Sequence, residues 1–144
     1  SHVNGFHFMN PISLKFVEIC KNSNFSKDIL EKIISKLTIH FYKIIEVNDT
    51  PGFLINKIIF KDISYFFYLI EKESFSIEDV TIIFKSNIKT NNPIKLINMI
   101  GVDTSLYILE NLNKYDDSFY VPEVLRKAVL NGTLGFKNKK LFKI

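Results

Sequence analysis

Cysteine occurs once, at Cys20, which excludes an internal disulfide and a CxxC metal clip. The thiol sits in an apolar stretch, and a buried, reduced side chain is the expectation. No metal site is expected either. Arginine also occurs once, at Arg126, although the formal net charge is +4. The basic excess is lysine spread singly along the chain, apart from the tail "FKNKKLFK". Phosphate and base-edge recognition favours clustered arginine, so no nucleic-acid partner is expected. No apolar run reaches the roughly 20 residues of a membrane span. The densest stretches, "FLINKIIF" and "ISYFFYLI", are broken by Lys57, Lys61 and Asp62. The start lacks the basic-then-apolar order of a signal peptide, so a cytoplasmic protein with no membrane partner is expected. Glycine is scarce, and none of the five is spaced as GxGxxG. A strand–loop–helix cradle for a dinucleotide is therefore absent from these residues.

What is present is a globular composition. Hydrophobic residues make up 47% of the 144, and a chain of that length hides roughly 70% of its unfolded surface. One domain, or one domain with a fragment of another, is expected. The stretch "GFHF" alternates until Asn10-Pro11 interrupts it, because the residue before proline is pushed away from helix. "KFVEIC" then places Phe16, Glu18 and Cys20 on one face and Lys15, Val17 and Ile19 on the other. Antiparallel pairing about Ile12 and Ser13 sets His7 opposite Glu18.

The remainder reads as helix. Ser26 is placed to cap a helix to about Phe41, with Ile29, Leu30, Ile33, Ile34 and Leu37 at three- and four-residue steps. "KIIEV" is a short strand or extended connector. In "NDTPGF", Thr50 is the expected cap and Pro51 the first-turn residue of a helix to about Glu73. That helix is apolar around most of its circumference and is expected to be buried on several sides. "SIED" fits a capping box opening a helix to about Ser86. Pro93 starts another helix, Gly101 bends or ends it, and "TSLYILENLNKY" resumes. Pro122 opens the last helix, which Asn131-Gly132 closes. The fold class expected is all-α with a short extended piece at the front.

Two residues carry candidate chemistry. Oxidation of a hydroxyl needs a base for the proton, and histidine titrates near working pH. A carboxylate behind it fixes the tautomer. His7 and Glu18 can form that pair, although a lone histidine in an apolar strand is also commonly a packed one. Glu18, between Phe16 and Cys20 on an apolar face, needs a partner. Asn10 and Asn56 read alone are ordinary turn or surface asparagines in an Asn-rich chain.

Five segments in order carry a resemblance. "GFHFMNP…KFVEI" resembles the domain-junction signature of the L-3-hydroxyacyl-CoA dehydrogenases, an HF-x-NP segment leading into an LVE strand. "DTPGFLINKII" resembles their DTPGF-[IV]-NR helix start, and "SIEDV" their S-x-E-D-[IV] turn. "NPIKLINMIGVD" resembles GPFEL-x-D-x-[IV]-G-[LV]-D, and "LNGTLGFKNKKLF" the closing NG-x-LG-x-K-x-G-x-GFY. The matches are collinear and cover essentially the whole chain.

The resemblance implies that His7 is the general base and Glu18 the carboxylate that hydrogen-bonds it. It further implies that Asn56 and Asn10 help hold the substrate. NAD is the implied cofactor, bound mainly by an N-terminal domain that is missing here. The implied partner is an acyl-CoA, in fatty-acid β-oxidation, together with a homodimer contact on the Pro51–Glu73 helix. Residues 1–20 are then terminal strands of the NAD-binding domain, and 21–144 the helical substrate and dimerisation domain. The segment alone is expected to be inactive. A dehydrogenase of free hydroxy acids such as sugar acids, or a helical dimerisation module without chemistry, are the alternatives. Departures from the family pattern are local. The step from His7 to Glu18 is 11 residues, one fewer than usual. Lys57 replaces an arginine, and Asn92, Lys139 and Leu141 stand where the family has glycines.

Overall fold

The structure is a computed structural model, described over residues 5–9, 15–20, 26–86 and 92–144. Compactness divides the chain into two units, Ser1–Asn56 and Lys57–Ile144.

The first unit is built on a three-stranded sheet of order β1-β2-β3. Strand β1 (Gly5–Phe8) pairs antiparallel with β2 (Phe16–Cys20), and β3 (Lys43–Val47) pairs parallel with β2. Helix α1 (Lys27–Ile39) makes the crossover that a parallel pair requires. The boundary expected at residue 20 falls inside this unit, because α1 and β3 return to β2. "KIIEV" is thus a paired strand. Central position buries both faces of β2: Val17, Glu18 and Ile19 are fully covered and Cys20 nearly so. Burial, with a smaller push from the Asp49 charge, raises the Cys20 thiol above its ordinary value. The α1 stripe is half-buried at Leu30, Ile33, Ile34 and Leu37 and exposed at Ile29. Ser26 is the N-cap residue but makes no side-chain cap, and the helix ends at Ile39 rather than at Phe41, which lies at positive φ.

The start of α2 (Phe53–Glu71) departs from the local expectation. Thr50-Pro51-Gly52-Phe53 closes a turn, Phe53 N–H donating to the Thr50 carbonyl at 3.1 Å with Gly52 at φ 78°. Proline second and a left-handed glycine third suit a type II turn. The helix therefore begins two residues after Pro51, with the Phe53 N–H closed on the Thr50 carbonyl.

The second unit packs the rest of α2 with α3 (Ile77–Lys85), α4 (Pro93–Ile100), α5 (Val102–Asn113) and α6 (Glu123–Leu130). Phe66 is its aromatic centre, edge-on to Phe67 at 5.1 Å and to Phe84 at 5.2 Å. The helix ends follow their sequence signals. Ser76 Oγ accepts from Asp79 N–H, capping α3, and donates to the Asp79 carboxylate. Asn92, in place of glycine, accepts from the N–H groups of Ile94 and Lys95 and caps α4. Gly101 separates α4 from α5 at φ 107°. After α6, Thr133 N–H donates to the Ala128 carbonyl and Gly132 N–H to that of Val129, the paired bonds of a Schellman motif. Lys139, where the family carries glycine, sits at φ 61°, a region that disfavours a side chain.

Glu71 pins the last turn of α2 to the start of α6. Its carboxylate accepts from Tyr120 Oη at 2.5 Å, Glu123 N–H at 3.0 Å and Val124 N–H at 3.1 Å. Burial and this hydrogen bond raise the Tyr120 hydroxyl well above its ordinary value, so it stays a donor. Glu71→Ala strips three donors of their acceptor and is expected to cost about 2–3 kcal/mol, read as a lower denaturant midpoint with unchanged slope.

Candidate active site

The strand register sets His7 against Glu18, flanked by the pairs Phe6–Ile19 and Phe8–Val17. The register thus keeps Glu18 on the face that meets His7. His7 Nδ1 lies 2.7 Å from Glu18 Oε2. The carboxylate has no accessible surface, whereas the imidazole side chain is 29% exposed. An ionised carboxylate can only accept, so Nδ1 carries the proton of this bond and in the neutral ring the lone pair falls on Nε2.

A buried carboxylate must satisfy its remaining oxygen. Glu18 Oε1 accepts from Leu54 N–H at 2.7 Å and Ile55 N–H at 2.8 Å. These are leading N–H groups of α2, so Glu18 caps them from the central strand. The positive end of the helix dipole favours an anion there. One side chain thus anchors the helix through one oxygen and the histidine through the other.

Phe53, between the turn and the capped N–H groups, lays its ring on the imidazole. The centroids are 5.3 Å apart and the planes 14° from parallel. This contact lay outside the sequence expectation, and its one trace there is a position directly after Pro51-Gly52. Asn56 is half-buried one helical turn from Phe53, on the same face of α2. Asn10 lies outside the described residues, as does the turn through Ile12 and Ser13.

The structure thus brings together a buried carboxylate and a half-exposed histidine at the start of α2. The chain belongs to the 3-hydroxyacyl-CoA dehydrogenase family: residues 52–143 match the model "3-hydroxyacyl-CoA dehydrogenase, C-terminal domain". It is 32% identical over 142 residues to a probable 3-hydroxybutyryl-CoA dehydrogenase of Bacillus subtilis, covering 96% of this chain and 50% of that protein. It is 27% identical over 143 residues to the mitochondrial hydroxyacyl-coenzyme A dehydrogenase of Sus scrofa, covering 96% and 46%. Among solved structures, (S)-3-hydroxybutyryl-CoA dehydrogenase PaaH1 from Ralstonia eutropha superposes with a TM-score of 0.81 at 25% identity. That match covers 98% of this chain and 52% of the other. The chain spans about half the length of these relatives. Its class is the expected one, a predominantly helical domain preceded by a small open sheet. Among the described residues no helix is long and apolar enough to cross a membrane.

Proposed function

We propose that the complete protein is an NAD-dependent dehydrogenase oxidising (S)-3-hydroxyacyl-CoA to 3-oxoacyl-CoA, and that this segment supplies the proton-handling half of the site. The observation carrying the reading is the 2.7 Å His7–Glu18 pair, with no partner of Nε2 among the described residues, in a chain of this family. His7 Nε2 takes the proton of the substrate 3-hydroxyl. Glu18 holds the imidazole in the required tautomer and balances the charge it gains. Asn56, on the Phe53 face of α2, and Asn10 hold the acyl-CoA beside that nitrogen.

The residues present do not fit a dinucleotide, since the five glycines at 5, 52, 101, 132 and 135 form no phosphate-binding turn. NAD, which accepts the hydride, is therefore assigned to the part of the complete protein outside this segment. The exposed row of Ile58, Tyr65 and Tyr68 on α2 supports a homodimer contact along that helix.

Turnover tests the reading. The complete protein with NAD and 3-hydroxybutyryl-CoA is expected to form NADH, and with gulonate to form none. The 144-residue segment alone is expected to be inactive with both. The opposite substrate preference transfers the protein to the free hydroxy acids, and inactivity of the complete protein with both sinks the enzyme reading.

A further inference from the structure

We propose that Phe53 is a positioning residue for His7, its ring acting as the platform on which the imidazole is held and becomes charged; this rests on the reading of His7 as the base. Three observations converge. The rings are stacked, 5.3 Å between centroids and 14° from parallel. Phe53 holds a φ of 50°, and directly follows Gly52 at 78°. A bulky residue in the left-handed region is an outlier. Such strain persists where the surroundings impose it, which makes it a pointer to function. Finally, the ring lies against the sheet beside Gly5. A Cβ at Gly5 would meet Phe53 Cζ and Cys20 Cβ, both at 3.4 Å. Gly5 is two residues before His7 on β1, so ring, glycine and histidine share one face.

The imidazole is thereby defined in two directions. Glu18 fixes its in-plane rotation through Nδ1, and Phe53 covers one of its faces, which leaves Nε2 at the open edge. The face of a phenyl ring is electronegative, so it attracts the positive charge that appears when the base takes a proton. Leucine keeps apolar cover over the imidazole but has no such face. The preference is therefore for the charged form, hence for the transition state.

Steady-state kinetics of the complete protein test this with Phe53→Leu, Phe53→Tyr, His7→Ala and the Phe53→Leu/His7→Ala double variant. Phe53→Leu is expected to lower kcat about tenfold with KM within about twofold, and Phe53→Tyr to restore it. In the His7→Ala background, Phe53→Leu is expected to have no further effect, since residues acting through one group are not additive. A wild-type kcat in Phe53→Leu beside a crippled His7→Ala overturns the proposal and leaves the function standing. An equal loss with and without His7 also overturns it, since Phe53 then acts independently. A wild-type kcat in His7→Ala removes the function reading and the proposal together. Should Phe53→Leu fail to fold, proton NMR of the unmutated protein decides. Stacking shifts the carbon-bound imidazole protons of His7 upfield by ring current, and ordinary positions overturn the proposal.

Discussion

Replacing His7 with alanine in the complete protein is expected to lower kcat on 3-hydroxybutyryl-CoA by about 10²–10⁴-fold, the range for a positioned acid–base group. The effect is expected in kcat and kcat/KM alike, because the proton transfer is made only in the transition state. KM is expected to change little, since the substrate contacts assigned to Asn56 and Asn10 remain. The fold is expected to survive. His7 is half-exposed and its strand partners Phe6–Ile19 and Phe8–Val17 are untouched. Glu18 keeps its two helix N–H donors, although Oε2 loses its partner. A single-turnover measurement of NADH formation isolates the chemical step, and a rate equal to wild type sinks the assignment of the base.

The sheet register was legible because the sequence states it twice. "GFHF" and "KFVEIC" each alternate, and the proline between them forbids a continuous strand, so antiparallel pairing sets His7 opposite Glu18. The capping of α2 was not legible. A local window offers Thr50, but the acceptor of the Leu54 N–H is Glu18, 36 positions earlier in the chain. A carboxylate buried in the central strand can seek any donor the fold brings near, and pattern reasoning sees only neighbours. Phe53 was hidden for the same reason. Nothing in its local window marks the stack of its ring on His7, a residue 46 positions earlier in the chain. Asn92 lies between these cases. Its side chain in front of Pro93 is a readable cap, and the loss of the family glycine costs nothing there because the side chain itself satisfies two N–H groups.

Glu18 is where the structural and chemical demands meet, and two substitutions separate them. Glutamine retains one carbonyl oxygen and acquires an amide donor. Its oxygen can serve the Leu54 and Ile55 N–H groups or face His7, but not both. The helix end presents two part-buried donors, and leaving both unpaired costs more than losing one bond to a half-exposed ring. The carbonyl therefore stays on the helix and the amide turns to Nδ1. An amide N–H donates, so Nδ1 must accept and the ring proton moves to Nε2. The imidazole then offers the substrate hydroxyl a proton where a lone pair is needed. Glu18→Gln is thus expected to keep the unfolding free energy within about 1 kcal/mol of wild type while kcat falls on the order of 10⁴-fold, the scale of a wrong-tautomer defect. Glu18→Ala removes both functions. It is expected to lose a similar factor in kcat and also about 2–4 kcal/mol of stability, from an uncapped helix start and a cavity in a fully buried strand. Equal stability losses in the two variants would show that Oε1 does not cap α2. A Gln variant retaining wild-type kcat would show that Oε2 does not set the tautomer of His7.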